Sequence, residues 1–539
     1  MKQRVFRVTL VLVLALSLLL PFAGCGNVSG ASDDIVNIGM TDTIPSVNPL
    51  LLDASEIAKT ISDLQFLQLC ELNSDLEFVG MLADSITTED NIHFTVHIDE
   101  NAKWSDGVDI TAKDLVFSVL RYASPVIGNT SMLLYAFEGV DPNTGFVAEG
   151  ATAEDLTGIV AVDEKTVVFT ARNPMPLASF MNTYGRYIHV IPEHILGEIP
   201  EGELASHTWF DAPDVVSGPY RIVAYDRDHY VSFVANDQYF KGAPKIGKLN
   251  IKIVEPSQQY AGLRSGEIDF VQQTTGNIPN EDYANVQALE GITTVLGAPV
   301  TNQTVFIQTA NVTDVRIRQA ILYAINREEL VDGLLGGNGE VVDGFLSSAS
   351  PYYDAGITAI KQDVDKAKAL VAEVAADGYD TSRELRFYVT SSDAVFVNVA
   401  SYIAAQLQAV GLKGKIQTVD FSTLMTVAGT MDYEMLAVQY TYSPVDPYPD
   451  MAWLLGGEGS WTGYADDEIN AALAQSQATD DAAQIRAAYS VVNAKVQKDV
   501  PLFSAYIIKA LGAVNDRIKN ARPDVFGSYI NVHEWEIVS

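Results

Sequence analysis

The stretch that most restricts what this chain can fold into runs from Lys248 to Phe270. Leu249, Ile251 and Ile253 alternate with Lys248, Asn250 and Lys252, the period of a half-buried strand. Ser257 is placed to cap a following helix. Gly266 is placed to end it, because glycine enters the left-handed region without a Cβ clash. Ile268 to Val271 then predicts a second strand. Such a strand–helix–strand unit is a right-handed crossover between parallel strands. Ser217-Gly218-Pro219-Tyr220 and an alternating hairpin lead into it, so the remaining chain elaborates on a mostly parallel sheet.

At 539 residues the chain exceeds a single hydrophobic core, and two or three domains are expected. Ile35 to Met40 predicts an opening strand, and Ser55 to Leu72 a helix. Within it Cys70 ends an apolar run from Leu64 and reads as a buried, inert thiol. Ile92, Phe94, Val96 and Ile98 alternate with His93, Thr95 and His97, a strand with one wet face. Asp106-Gly107 signals a turn, and Thr111 with Asp114 forms a capping box ahead of Val116, Phe117 and Leu120. Ile159–Val162 and Thr166–Thr170 predict a hairpin. Together these give a compact α+β insertion over 76–206.

Farther on, Thr304 to Thr309 predicts a strand, and Asp314 caps a helix with Ile317, Ala320, Ile321 and Ala324 on one side. A helix from Asp363 to Ala376 stops at Gly378. Strands at Leu385–Val389, Lys415–Val419 and Glu434–Gln439 then alternate with helices at Val395–Val410 and Phe421–Ala428, the pattern of a second doubly wound sheet. Helices at Asp466–Ala478 and Asp480–Lys498 follow, then an extended segment from Pro501 to Ala513. The expected domains are a first lobe of 35–75, 207–300 and 510–539, the insertion at 76–206, and a second lobe of 301–509.

The amino terminus reads as an export signal. Lys2, Arg4 and Arg7 precede an apolar run from Val8 to Leu20, too short for the ~20 residues of a membrane-spanning helix. Phe22-Ala23-Gly24-Cys25 resembles a bacterial lipobox, which makes residues 1–24 a lipoprotein signal peptide, Cys25 the lipidated residue and 25–34 a flexible tether. With Cys25 so used, Cys70 has no partner for a disulfide. The remaining chain holds 31 Lys and Arg against 69 Asp and Glu, a balance of −38 that excludes sequence-independent binding to nucleic acid.

The chemistry-bearing motifs are few. There is no Gly-x-Ser-x-Gly elbow, no His-Glu-x-x-His and no phosphate-cradling glycine loop. The seven histidines are scattered, and the His189–His194 spacing forms no closed metal site without other ligands. No metal and no cofactor are expected.

Four blocks, in order, carry a family resemblance. They are Trp104-Ser105-Asp106-Gly107 with Thr111 to Ser118, Gly218-Pro219-Tyr220, Gly266-Glu267-Ile268-Asp269, and Asp314 to Ala320 through Ala324-Ile325-Asn326-Arg327. The chain resembles the extracellular solute-binding proteins of ABC importers, family 5, the branch with oligopeptide, dipeptide and nickel binders. The resemblance implies an α/β, two-lobe periplasmic-binding-protein-like fold of type II, with an α+β domain inserted in the first lobe. It also implies a monomer that binds a peptide or other small-molecule ligand between hinged lobes, partners a permease and catalyses nothing. A secreted peptidase or glycosidase, and a ligand-sensing surface protein, are the alternatives.

In open α/β sheets ligands bind beyond the carboxyl ends of strands. The Glu434–Gln439 strand delivers Tyr440, Tyr442, Ser443 and Asp446 there, and the following loop brings Trp461. In peptide binders of the family an aromatic stands where Tyr440 does, and an aspartate that pairs with the peptide amine stands where this chain has Ser443. Asp446 can substitute only if the loop is differently shaped. Asp53, Thr274 and Thr275 are expected to face the cleft from the first lobe, and Tyr506 to stack on ligand from a returning hinge segment.

Overall fold

The computed structural model describes residues 34–52, 55–391, 394–457 and 460–538. The expected leader, Cys25, most of the tether and Asp53 lie outside the described residues.

The Lys248–Ile253 strand forms as its alternation requires, with Leu249 and Ile251 buried. It pairs in parallel with Ile35–Met40, which in turn pairs in parallel with Phe270–Val271, so the crossover steps over one strand. The helix between them spans Gln259–Ser265 and ends at Gly266, whose φ of 75° supplies the left-handed cap. Ser257 does not cap it. It lies inside a 3-10 turn, Pro256–Gln258, and Gln258 takes the cap position without a side-chain bond. The predicted Ser55–Leu72 helix stops at Gln65, because Cys70–Leu72 pairs as a strand with Phe78–Gly80. Cys70 is buried and its thiol is pushed up to about 12 by burial.

The two sheets expected from the sequence are joined. One 11-stranded sheet runs through the molecule, and two long antiparallel strands, Ile292–Ile307 and Leu502–Asn515, bridge its halves. At one end they reach the first lobe through Phe270 opposite Val514 and Val271 opposite Ala513. At the other end Thr301 to Ile307 pairs with Thr441 to Met435, and that strand pairs in parallel with Glu384–Thr390. The register of the long pair shifts between Leu296 and Thr301, and again between Gln303 and Thr304. Between Leu296 and Thr301 the Ile292–Ile307 strand passes from partial exposure to continuous burial, so the first of these irregularities sit where the chain leaves one lobe for the other.

Each lobe has its own core. In the first, Val36, Ile38, Leu249, Ile251 and Phe270 pack with Trp535 from the carboxyl-terminal tail. In the second, Val305, Phe387 and Phe503 face one layer of helices, while Phe306, Leu436 and Leu502 face the other. The helices fall where the pattern predicts: Val315–Ala324 with Asp314 as cap, Val364–Ala376, and Asp467–Gln477 and Ala482–Asp499. A separate four-stranded antiparallel sheet contains His93–Ile98 and Thr166–Thr170. It packs on the Ala112–Tyr122 helix, whose Thr111–Asp114 capping box is formed in full. This core also takes in Leu50, Phe66, Leu67 and Val216 from the flanking chain.

Candidate functional site

The Met435–Thr441 strand is held by neighbours on both sides, so its carboxyl end is a fixed point. Tyr442 continues the ladder, its N–H donating to the Val300 carbonyl at 3.1 Å. Its buried hydroxyl accepts from the Ser347 N–H at 2.9 Å and shares a 2.7 Å bond with the Ser347 hydroxyl. Ser350 donates to the Pro444 carbonyl at 2.7 Å. These bonds fix the loop that leads to the Tyr448–Leu455 helix, and they place Asp446 and Asp450.

Asp446 is 3% exposed. Its carboxylate accepts from the Ser179 hydroxyl at 2.9 Å and from the Asn182 amide at 3.4 Å. Ser179 lies in the Leu177–Phe180 helix and Asn182 in the wide turn after it, both between the strands of the four-stranded sheet and the first lobe. The bond therefore joins the second lobe to the body across from it. A second contact runs alongside, from the Leu177 N–H to the Asp480 carboxylate at 3.0 Å.

Behind Asn182 lies a buried charge network. The Asn182 carbonyl accepts from Arg186 at 3.1 Å, Arg186 pairs with Glu71, and Glu71 with Lys59. Burial alone would raise the Glu71 carboxyl, but Arg186 and Lys59 outweigh it and hold it at about 2. Arg186 also sits 5.5 Å from the Phe526 ring.

Asp446 and Asp450 have no such cations. Burial pushes Asp446 up to about 6, tempered by Ser179 and Asn182. Burial and the charge of Asp446 push Asp450 up to about 7. Among the described residues no lysine or arginine makes an ion pair with either. The phenols of Tyr184, Tyr352, Tyr448 and Tyr489 are raised by burial and also feel Asp446. Asp446 and Asp450 are thus a pair of buried acids without a cation, able to accept hydrogen bonds and to offset positive charge.

The remaining expected residues fall in different places. Tyr440 is half-buried and stands directly across the ladder from Asn302, and burial pushes its phenol well above the usual value. The Ser443 hydroxyl is buried and meets no partner among the described residues. Trp461 packs on Trp453 and Phe306, and its carbonyl accepts from Gln308 and Tyr433. Phe306 pairs with Leu436 at the start of the strand that Tyr440 ends, so four residues, roughly 13 Å of strand, separate the two sites. Tyr506 is 1% exposed and packs in the second lobe's core. Thr275 is buried, with its carbonyl accepting from the Thr41 N–H at 3.0 Å and its hydroxyl donating to Gln272 at 2.9 Å. Thr274 beside it is half-buried. Gln272 in turn donates to the Val525 carbonyl at 3.1 Å, and Val525, Phe526 and Tyr440 each pack on the small cluster that holds Tyr442.

Ser179, Asn182, Asp450 and Phe526 are additions that the residue pattern did not flag. Asp450 had a signal, as the second acid of the Pro444 to Asp450 run of prolines, aromatics and acids. Ser179 and Asn182 had none. Among the described residues no cluster of three or more His, Cys, Asp or Glu could hold a metal ion, and no helix is long and apolar enough to cross a membrane.

Residues 77–462 match the profile of bacterial extracellular solute-binding proteins, family 5. A Brucella ovis protein provisionally named as an ABC transporter peptide-binding protein is 29% identical over 362 residues, 66% of this chain and 63% of its own length. The match thus spans less than two thirds of that relative. The oligopeptide-binding protein AppA of Bacillus subtilis is 22% identical over 511 residues, 91% of this chain and 89% of AppA. The structure of AppA with a nonapeptide superposes with a TM-score of 0.75 at 20% identity, covering 94% of this chain and 99% of that one. NikZ of Campylobacter jejuni, in complex with Ni(L-His), gives 0.75 at 19% identity over the same shares.

Proposed function

The chain belongs to the bacterial extracellular solute-binding proteins of family 5, and from that membership we propose that it captures a solute between its lobes and passes it intact to the permease of an ABC importer. The solute is peptide-like or another small polar molecule. Lipidation at Cys25 tethers the protein, a monomer, to the outer face of the cytoplasmic membrane, and the tether as far as Asp34 gives it reach.

The observation that carries this reading is the Asp446 bridge. A carboxylate of one lobe is bonded to Ser179 and Asn182 of the body opposite. Contacts made only when two bodies meet are what allow a ligand to drive closure, because a ligand shifts an equilibrium by its differential affinity for the two states. The names of the relatives support the solute class, since AppA is named for oligopeptides and NikZ is seen with a nickel–histidine complex. The test is native mass spectrometry of freshly purified protein, followed by release and identification of what it carries. An unaltered solute is expected. Recovery of cleaved products, or turnover of the solute on incubation, would overturn the reading.

A further inference from the structure

Gly297, Gly512 and Gln273 meet where the bridging strands leave the first lobe. Leu502–Asn515 lies in the middle there, with Ile292–Ile307 on one side and Phe270–Val271 on the other. Leu296 stands opposite Leu511 and Pro299 opposite Lys509, so Gly297 and Ala298 face Ala510 alone. The extra residue makes a bulge, which bends a strand and sharpens its twist. Pro299 has no N–H with which to mend the ladder.

Gln273, two residues beyond Val271, sends its side chain over the middle strand to this bulge. Its Cγ lies 3.0 Å from where a Cβ of Gly512 would stand, so it crosses at a glycine. Its amide nitrogen donates to the Val295 carbonyl at 3.0 Å. Its Cδ lies 2.7 Å from where a Cβ of Gly297 would stand, with Oε1 nearer still, so the amide occupies room that only a glycine leaves open. Oε1 has no hydrogen-bond partner among the described residues, and Gln273 is 2% exposed. An apolar side chain would fill the same space without an unmet acceptor, which points to the bond with Val295 as the reason for an amide.

The backbone of Gln273 belongs to the 272–276 loop, which carries Thr274 and Thr275, the residues expected to face the solute. The first lobe holds that loop from other sides. Gln259 donates to the Gly276 carbonyl at 2.8 Å, and the Thr41 N–H to the Thr275 carbonyl at 3.0 Å.

We propose that Gln273 is a positioning residue for solute capture, tying the 272–276 loop to the bulge at Gly297 so that loop position and the angle between the lobes change together. A change of twist at the bulge moves the Val295 carbonyl and Gly297, and the amide held between them carries that movement into the loop. The tie deepens the reading of the protein as a hinged solute binder and rests on it.

The test combines hydrogen exchange by mass spectrometry with small-angle X-ray scattering on the full mature chain, no solute being added. The variants are Gln273→Ala, Gly297→Ala and the two together. A Cβ at position 297 meets the far end of Gln273 and evicts its amide. Each single variant is expected to speed exchange about tenfold in 272–276 and in 292–301 alike, and to raise the radius of gyration. The double variant should match the singles, since each change removes the same tie. Gln273→Met keeps the bulk, loses the donor and should behave as Gln273→Ala does. A residue with a structural role alone would lower the urea-unfolding midpoint and leave the radius of gyration unmoved, and that result would overturn the proposal. So would additive effects in the double variant, wild-type behaviour of Gln273→Met, or faster exchange in only one of the two segments. None of these readouts needs a bound solute, so failure of the tie and failure of solute capture are told apart.

Discussion

Asp446 and Asp450 are expensive residues for the folded chain. A carboxyl whose folded value lies above its unfolded one binds more protons in the native state across the interval between them. Stability from such a group is full below about pH 4 and is lost as pH rises through the folded value, here about 6 for Asp446 and about 7 for Asp450. Two units for Asp446 correspond to roughly 2–3 kcal/mol. Other acids run the opposite way: Glu71, held at about 2, contributes stability that is full above its ordinary value of 4.5 and is lost as pH falls toward about 2. The difference between two proteins isolates the site. Asp446→Asn is expected to gain on the wild type by about 2 kcal/mol in urea-unfolding free energy between pH 4 and pH 8, while its hydrogen bonds from Ser179 and Asn182 keep an acceptor. A constant gap across that range would show that the carboxylate is not buried as described.

At the scale of elements, the bridging strands explain both the continuity of the sheet and its weak points. Gly512, in the part of Leu502–Asn515 that runs through the first lobe, has the Pro523 carbonyl oxygen 2.2 Å from where a Cβ would stand, with the Pro523 side chain at 2.8 Å. Backbone lies in the way, so the strand cannot yield cheaply. Gly512→Ala is expected to cost at least about 2 kcal/mol by urea unfolding, and a neutral result would mean that the tail around Pro523 is not packed there. Elements set by local period were legible in the sequence: the alternation in Lys248–Ile253, the capping box at Thr111 and the left-handed stop at Gly266 all formed. Elements decided by a distant partner were not. The apolar run from Leu64 reads as a continuing helix, yet the helix ends at Gln65 and only the pairing of Cys70 opposite Gly80 makes Cys70–Leu72 a strand. Sequence proximity grouped Trp461 with Tyr440, whereas the length of one strand holds them apart. Ser179 and Asn182 owe their role to Asp446, more than 260 positions away, and no local pattern reports that.

For the whole molecule, the path Lys59–Glu71–Arg186–Asn182–Asp446 matters more than any single bond in it. Its first three members are fixed in a buried charge network that joins Lys59 and Glu71 to Arg186 of the inserted segment, so Asn182 is presented to Asp446 by a firm support. Asp446 is presented in turn by a loop pinned through Tyr442, Ser347 and Ser350. Two preorganised surfaces that meet lose little entropy on meeting, and the free energy of the contact then goes into the closed state. Removing the donors while sparing the carboxylate shows how much. Ser179→Ala with Asn182→Ala deletes two hydrogen bonds to a buried acid, each worth about 1.5–3 kcal/mol, and leaves Asp446 to protonate. The double variant should populate the open form, with a larger radius of gyration by small-angle X-ray scattering. It should bind the native solute roughly tenfold to a hundredfold more weakly, chiefly through faster release. Asp480→Ala, which removes only the flanking contact to the Leu177 N–H, should do the same to a lesser degree. If the double variant scatters like the wild type and holds its solute as long, closure is set by the bridging strands and not by the Asp446 contact.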